Sequence, residues 1–544
     1  MLKNWIDVKV VVLVLISALL IFPGLGGTSL WTDEAHTAVI AQNIAETGFP
    51  YASNGKNLVS IFPDHRDIRD GIYIWQAWIP SYLAAVSVSV LGNTAFAARL
   101  PFALLFILLI VASYHIFNSW QPDRQRSLLA IALMLGCVAL LLHARQCRYY
   151  ILVPLLNLLI VYSYLKLLEQ PNPFSATQIV IWTTLLFNSL FPAAPILGLA
   201  LGVDLIFRRP DRHVLKYILV IVAILLLINM PIAWYTRVWD RQFGIQPGYS
   251  SIPVFSAYLF RYAITINTYI FPLILVFVAL VWRWREVLRK VRNDPIVFLL
   301  LTICVTQLLF FSLASDYPFT RYMLGILPFV LYLGAACIRG MTGNSMVLSW
   351  SLVVVITISN TLQVLPLSIL KYTRLQQANW TTNGVNGSYL DVKNVGLSYA
   401  KGEIKTIINT PMGSPLIQYI LSALNSPKGP IDWIVKYLNE NALPSDRVKI
   451  SYGDLPLMFH TNFSVISAPM VGPSAPEWFI PRTFNPPVID KNFVESLNNH
   501  KYELVELNAP DIQWNNRPDP LYHFYNTPVE SHLPKIKIYR KIEK

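Results

Sequence analysis

The chain has 544 residues, 54% of them hydrophobic and only 13% charged, with a mean hydropathy of +0.47. Soluble domains carry about 25% charged residues, so a chain with roughly half that fraction requires an apolar solvent, and the soluble globular class is excluded. The formal charge of +13 invites a nucleic-acid partner, but among repeated apolar runs surplus Lys and Arg mark cytoplasmic loops instead, and no nucleic acid is expected.

The predicted class is a polytopic α-helical membrane protein, because isolated strands cannot satisfy their backbone in lipid. Lys3 and Lys9 precede an apolar run over 10–22 that superficially resembles a signal peptide. With no clear small-x-small cleavage site and many spans to follow, it reads as an uncleaved first helix, residues 8–24. Residues 25–74 are too rich in Gly, Pro, Asp and Arg for hydrocarbon. Within them 33–47 predicts a short helix, with Thr32 as N-cap, Asp33 and Glu34 in its first turn and Gly48 ending it. Residues 72–91 are apolar but carry Trp75, Trp78, Pro80 and Tyr82, which suits either a span or an interfacial helix.

Later apolar runs fall at 100–118, 127–142, 149–168, 178–191, 193–207, 214–234, 262–282, 296–314, 322–338 and 346–366. Basic loops lie at Arg124/Arg126, at Arg208/Arg209/Arg212/Lys216 and at Arg283/Arg285/Arg289/Lys290/Arg292. If 72–91 lies at the interface and every other run crosses, all three basic loops share the N-terminal, cytoplasmic side, as the positive-inside rule requires. That gives about eleven crossings; reading 178–207 as one long helix would reverse the parity. The first external loop (25–98), 143–148, 235–261, 315–321 and all of 367–544 then gather on the extracytoplasmic side. Residues 1–366 form the transmembrane module. Residues 367–544, rich in Asn, Pro, Asp and Lys, with alternating runs near 448–452 and 463–467 and an amphipathic stretch at 429–442, predict a soluble extracytoplasmic α/β domain. The four cysteines, Cys137, Cys147, Cys304 and Cys337, include no CxxC and give no disulfide framework.

Chemistry-bearing residues cluster at the predicted external boundary. Asp33 and Glu34, with His36 near, suit a general base or a metal-ligand pair, or simply complement a helix N-terminus. In Asp64-His65-Arg66-Asp67-Ile68-Arg69-Asp70, a divalent metal ion could use Asp64, His65 and Asp67, and a phosphate Arg66 and Arg69; a self-paired polar loop is the alternative. Arg145 and Arg148 lie three apart, on one face if helical, as a pair of guanidiniums for phosphate or as snorkelling side chains. Asp316, Arg321 and Tyr322 stand at the mouth of a later helix, with Pro328 beyond; the loop 235–261 adds Arg237, Asp240, Arg241, Tyr258 and Arg261 without a pattern. Several external arginines run against the positive-inside expectation, and an anionic ligand would explain them. The turn-rich Asn515-Asn516-Arg517-Pro518-Asp519-Pro520 reads first as a folding element of the C-terminal domain, second as an acceptor contact. Triplets at Asn379, Asn386 and Asn462 match the N-glycosylation acceptor pattern.

The acidic pair in Trp31-Thr32-Asp33-Glu34-Ala35, directly after the first apolar run, resembles the first-loop motif of GT-C glycosyltransferases. More narrowly it resembles the bacterial relatives of protein O-mannosyltransferases and the aminoarabinose transferase of lipid A. Ala97-Ala98-Arg99-Leu100-Pro101, Ala144-Arg145-Gln146-Cys147-Arg148-Tyr149-Tyr150 and Arg321-Tyr322 followed by Pro328 match patterns recurrent there. The resemblance covers about residues 8–340. It implies a membrane glycosyltransferase in the plasma (inner) membrane, with a polyprenyl-phosphate sugar as donor, an extracytoplasmic site, Asp33 as base and external cations on the phosphate. Tyr149-Tyr150 stand where many relatives carry an acid, a departure that bears on any metal site. The rival expectations are a lipid-glycan polymerase or ligase, and a non-enzymatic transporter of lipid-linked sugar. The acceptor, whether protein, lipid or glycan, is not legible.

Overall fold

The computed structural model describes residues 8–120, 123–240, 252–315, 317–343, 345–370, 392–467, 475–482, 502–512, 517–523 and 534–542. Its first part is a helical bundle: α1 (Val8–Ile21), α2 (Thr32–Thr47), α3 (Ile79–Leu91), α4 (Ala95–Trp120), α5 (Arg124–Gly136), α6 (Val138–Ala144), α7 (Leu152–Glu169), α8 (Pro173–Phe187), α9 (Ala193–Arg208) and α10 (Arg212–Tyr235). There follow α11 (Ile252–Tyr269), α12 (Leu273–Asn293), α13 (Pro295–Ala314), a 3-10 turn (Thr320–Ile326) running into α14 (Leu327–Met341), α15 (Met346–Ile358) and α16 (Thr361–Leu370).

Five of these helical stretches are individually long and apolar enough to cross a bilayer: α4, α7, α10, α13, and the 3-10 turn with α14. The number rises to eight if each of the bent pairs α5–α6, α11–α12 and α15–α16 is one span. The run 262–282 is therefore not one straight helix. It turns by 97° at Phe271-Pro272, where proline removes a backbone donor. The run 346–366 bends by 71° near Asn360. Helix α3 has 13 residues, or about 20 Å, too short for the roughly 30 Å hydrocarbon core. It begins at Ile79 because the tryptophan-rich residues before it are occupied otherwise: Trp78 donates its indole N–H to the Tyr73 carbonyl.

The connections fall into two groups that alternate along the chain. At one end Arg339 reaches Asp123 (3.3 Å), Arg208 reaches the Pro295 carbonyl (2.7 Å) and Arg283 the Gly340 carbonyl (3.2 Å). At the other end Cys147 meets Glu34, the Ile79 N–H meets the Asn188 carbonyl, and Arg69 meets Tyr235. Helices α8 and α9 are thus separate, with their joining turn against the first loop. The helices that start at the first end carry local start signals: Asp123, Asn172, Asp211, Asp294 and Ser345 each accept backbone N–H groups of the following first turn.

The C-terminal residues form α17 (Val392–Ile408), α18 (Pro415–Asn425), α19 (Pro430–Asn441), α20 (Asp454–His460), a short α21 (Pro520–His523) and a five-stranded sheet. Numbering from the hairpin β1 (Ile68–Arg69) and β2 (Ile72–Tyr73) of the first loop, the sheet strands are β3 (Arg447–Ile450), β4 (Ser464–Ile466), β5 (Trp478–Ile480), β6 (Tyr502–Pro510) and β7 (Lys535–Lys541), in the order β4-β3-β5-β7-β6. The β3 strand runs parallel to β4 and β5, while β7 is antiparallel to β5 and β6. This layer docks on the first loop rather than standing apart. Asp432 accepts from the Ser29 N–H (2.7 Å) and hydroxyl (2.8 Å), His460 Nε2 accepts the Leu30 N–H (3.0 Å), and Asn57 bonds the backbone at 463 and 465.

Candidate functional site

Helix α2 begins one residue earlier than its sequence signal. Trp31 is the N-cap, and its N–H is taken by Glu34 Oε2 at 3.0 Å; Gly48, at φ +81°, closes the helix with its N–H on Ile44. Consecutive helical residues point about 100° apart, so Asp33 and Glu34 face different surroundings.

Glu34 is fully buried and bound in a fork-to-fork pair with Arg99 of α4, Nε to Oε1 and Nη2 to Oε2, both 2.8 Å. Oε1 also accepts the Cys147 N–H at 2.9 Å. Arg99 spends its remaining donors on the carbonyls of Leu25, Thr28 and Ser29. Every strong lone-pair direction on Glu34 is occupied, so this carboxylate fastens the first loop to the bundle and is not placed to take a proton from a substrate.

Asp33 is about one-quarter exposed, and its Oδ2 bonds Arg321 Nη1 at 2.9 Å, with the Tyr150 hydroxyl at 3.5 Å. Burial pushes its carboxyl up, but Arg321 and Arg148, with His36 and Arg517, outweigh that and hold it below the usual carboxylate range. Burial and the neighbouring Arg148 drive His36 down to about 3, so its imidazole is neutral at pH 7. Arg148 donates Nη1 to Thr37 (2.9 Å) and to Gln76, while its buried Nε has no partner among the described residues. Trp31 Nε1 and His36 Nε2 are also buried without a partner among the described residues. These nitrogens beside two guanidiniums are a donor set of the kind that pairs with an acceptor-rich, anionic group. Arg321 lines a narrow crevice walled by Tyr149, Tyr150, Phe311, Tyr322 and Leu324. The Phe311 and Tyr322 rings stack at 4.7 Å.

The structure thus brings together Asp33, Arg148, Arg321 and, on the crevice wall, Tyr322. Arg145 lies elsewhere because α6 ends at Ala144 and residues 145–151 are turns, so the shared helical face does not form. Its Nη1 holds the Ile21 carbonyl at 2.8 Å and its guanidinium lies 5.9 Å from the Tyr419 ring. Arg66 stacks on Phe62 and pairs with exposed Asp64, while Arg69 packs on Trp234 and Tyr235.

The expected metal trio is corrected. Asp67 is buried and turned inward to the Ser60 hydroxyl and Ile61 N–H, both at 2.7 Å, whereas Asp64 is exposed. The loop is a β-hairpin whose Asp70-Gly71 turn has both φ angles positive, a geometry this dipeptide favours. Among the described residues no three His, Cys, Asp or Glu are grouped to hold a metal, so the donor set does not fit a divalent ion. Asp316, Asn379, Asn386, Asn515 and Asn516 lie outside the described residues.

The residues that the sequence did not assign to the site are Gln76, Thr37 and Arg517. The Arg517 guanidinium lies 5.9 Å from the Trp31 and Phe319 rings. Its sequence signal was present in the Arg-Pro-Asp-Pro turn but pointed first to folding of the C-terminal domain.

One pH effect follows. His36 and His460 are held at about 3 and about 4, both chiefly by burial and both below the ordinary 6.5. The unfolded chain takes up protons near 6.5 that the folded chain refuses until pH 3–4, so stability is full above about pH 6.5 and falls as pH drops toward 4. Thermal unfolding in detergent is expected to show a falling Tm over that window, less steep in a His36→Gln/His460→Gln variant; an unchanged slope in that variant would assign the effect to other groups.

Bundle, loop and docked sheet together make a polytopic helical fold shared with membrane glycosyltransferase structures of the GT-C class. The chain is similar to crystal structures of ArnT from Cupriavidus metallidurans: bound to undecaprenyl phosphate, TM-score 0.52 at 13% identity over 86% of each chain; in the apo state, 0.51 at 14% over 84% of this chain and 85% of that one. The archaeal oligosaccharyltransferase AglB from Archaeoglobus fulgidus is more distant, with TM-score 0.46 and 12% identity over 86% of this chain and 65% of that one. No protein-family model matches the chain, and no curated protein matches it in sequence. At these identities the likeness is one of fold.

Proposed function

We propose that the protein transfers a sugar from a polyprenyl-phosphate donor to an acceptor hydroxyl at the extracytoplasmic face of the plasma membrane. The observation that carries this reading is Asp33, a partly exposed carboxylate held by Arg321 and close to Arg148, with Arg321 itself lining a crevice walled mostly by aromatic and aliphatic side chains. The ArnT structure of the same fold holds undecaprenyl phosphate, which supports a lipid phosphate as the anion. The basic residues Arg208, Arg209, Arg283, Arg285 and Arg289 at the opposite end support the sidedness.

In this reading the donor phosphate accepts hydrogen bonds from Arg148 and Arg321, and its prenyl chain lies along the crevice wall. Drawing Arg321 toward phosphate weakens its hold on Asp33, so the carboxylate becomes a better base once donor is bound. Asp33 takes the proton of the acceptor hydroxyl, and the oxygen attacks the anomeric carbon. The bond from that carbon to the phosphate oxygen breaks, with its electron pair leaving on polyprenyl phosphate, and a single displacement inverts the centre. Preorganised guanidiniums stabilise the charge developing there. The decisive experiment supplies purified protein with radiolabelled polyprenyl-phosphate sugars and a membrane extract as acceptor. Release of polyprenyl phosphate coupled to labelled acceptor is expected; movement of intact donor across a vesicle membrane without cleavage would make the protein a transporter.

A further inference from the structure

Helix α18 (Pro415–Asn425) belongs to the C-terminal part of the chain, yet its apolar stripe faces outward. Ile417, Ile420, Leu421 and Leu424 follow the i, i+3, i+4, i+7 spacing of one helical face, and among the described residues they are 37% to 63% exposed. Tyr419 and Ala423 are the residues this helix buries. A helix made for a water-facing domain would be turned the other way.

The seat of the helix fixes that orientation. Tyr419 donates its hydroxyl to the Leu20 carbonyl in the last turn of α1, at 2.7 Å. A Cβ at Gly24 would collide with the Ala423 carbonyl oxygen, and one at Gly27 with the Ser426 hydroxyl, so glycines directly after α1 admit the end of α18. The start of the helix is tied to the bend of α15–α16. Asn360 accepts the Gly413 N–H on Oδ1 at 2.7 Å and gives its own N–H to the Gly413 carbonyl at 3.0 Å.

Helix lengths set the depth of this contact. Helix α15 starts at the end of the bundle that carries the basic connections and rises about 20 Å over its 13 residues, well short of the roughly 30 Å hydrocarbon core. Asn360, just beyond it, and the Gly413 bonded to it therefore lie within the apolar layer. The flanking helices present the same kind of surface: Leu15 and Leu19 of α1, and Val355 and Ile358 of α15, are exposed apolar side chains.

We infer that α18 is a membrane-embedded element of the C-terminal domain, lying in the leaflet away from the basic connections with its stripe against lipid acyl chains. At 11 residues, about 16 Å, it is too short to cross. Lipid is the occupant because the stripe continues the apolar surface of two bundle helices at their own depth. The stretch 371–391, rich in Asn, Thr, Gln and Gly, is poorly matched to it. A domain whose sequence predicts a wholly aqueous setting is thereby keyed into the bilayer. The first loop, which that domain grips through Asp432 and His460, is held at a fixed height above it.

The test places a nitroxide on the full-length protein in phosphatidylcholine proteoliposomes. Single cysteines are introduced as Leu421→Cys or Leu424→Cys, with Asn439→Cys on the exposed side of α19 as the aqueous reference. Cys337, the native cysteine that is not fully buried, is replaced by Ser. Collision with oxygen, which concentrates in lipid, is expected to exceed collision with a water-soluble nickel chelate severalfold at 421 and 424, and the ratio to reverse at 439. A chelate-favouring ratio at 421 and 424 would put the stripe in water and overturn the inference. Weak collision with both reagents would mean a protein cover, whether 371–391 or a second copy, and would overturn it equally. Ile417→Cys and Ile420→Cys repeat the reading on the same stripe, so one poorly folding variant does not decide it.

Discussion

The Asp33→Asn variant is expected to lose sugar transfer by about 10²- to 10⁴-fold, the range that a positioned general base contributes, while retaining its fold and its hold on polyprenyl phosphate. The amide keeps the shape of the carboxylate, and the residue is not part of the buried frame: it is 27% exposed and its ion pair with Arg321 is single. Removing the negative charge also frees Arg321, so affinity for an anionic lipid is expected to stay level or rise. That opposite movement of binding and turnover marks a base, because a collapsed pocket would lose both. Transfer assays with labelled donor, set beside binding of polyprenyl phosphate, give the answer; transfer retained within a few-fold would remove Asp33 from the role.

The neighbouring residue is expected to behave in the reverse manner. Glu34→Ala or Arg99→Ala leaves one charge of a fully buried pair without its partner, a change that typically costs about 3–5 kcal/mol. Here the cost extends beyond the pair, because Arg99 also satisfies the carbonyls of Leu25, Thr28 and Ser29 and Glu34 satisfies the Cys147 and Trp31 N–H groups. Both variants are expected to show a large drop in Tm and in the yield of folded protein, with activity falling in proportion to the folded fraction. A double Glu34→Gln/Arg99→Met variant, which removes both charges, is expected to recover part of the stability. A Glu34→Ala protein of native Tm but no activity would instead move Glu34 into the chemistry.

These two adjacent acids show how far the sequence could be read. The stretch after the first apolar run pointed to the candidate site, because a carboxylate pair at a bilayer exit suits a base as well as a helix N-terminus. The sequence did not separate the roles, since that depends on Arg99, sixty-five residues away, reaching one carboxylate and not the other. Arg148 was legible as a guanidinium at the end of an apolar run. The expectation that Arg145 would join it assumed helical spacing through residues that the structure makes turns. The cluster at 64–70 was read by composition as a ligand set, although its Asp-Gly pair carried the stronger, purely local signal of a hairpin turn. The alternation of the connecting segments followed from hydropathy and charge alone. The bends within α5–α6, α11–α12 and α15–α16 did not, because hydropathy registers no break inside an apolar run, and the three breaks come together only in the fold, beside Pro520. Arg517 lay beyond reach for the same reason: some two hundred residues separate it from Arg321, and no periodicity links a docked terminal segment to a helix mouth.

The forked pair of Glu34 and Arg99, sealed from water at 0% and 4% side-chain exposure, divides the electrostatics of the site by solvent access. Mobile counter-ions screen charges they can approach, over about 8 Å at physiological ionic strength, and hardly touch those enclosed in protein. Under the proposed function, added salt weakens the attraction between the half-open guanidiniums and an anionic headgroup, while the buried clamp that holds the first loop keeps its strength. Anion capture by the guanidiniums and placement of the first loop then respond separately to the ionic medium, so the proposed centre keeps its geometry as the salt concentration changes.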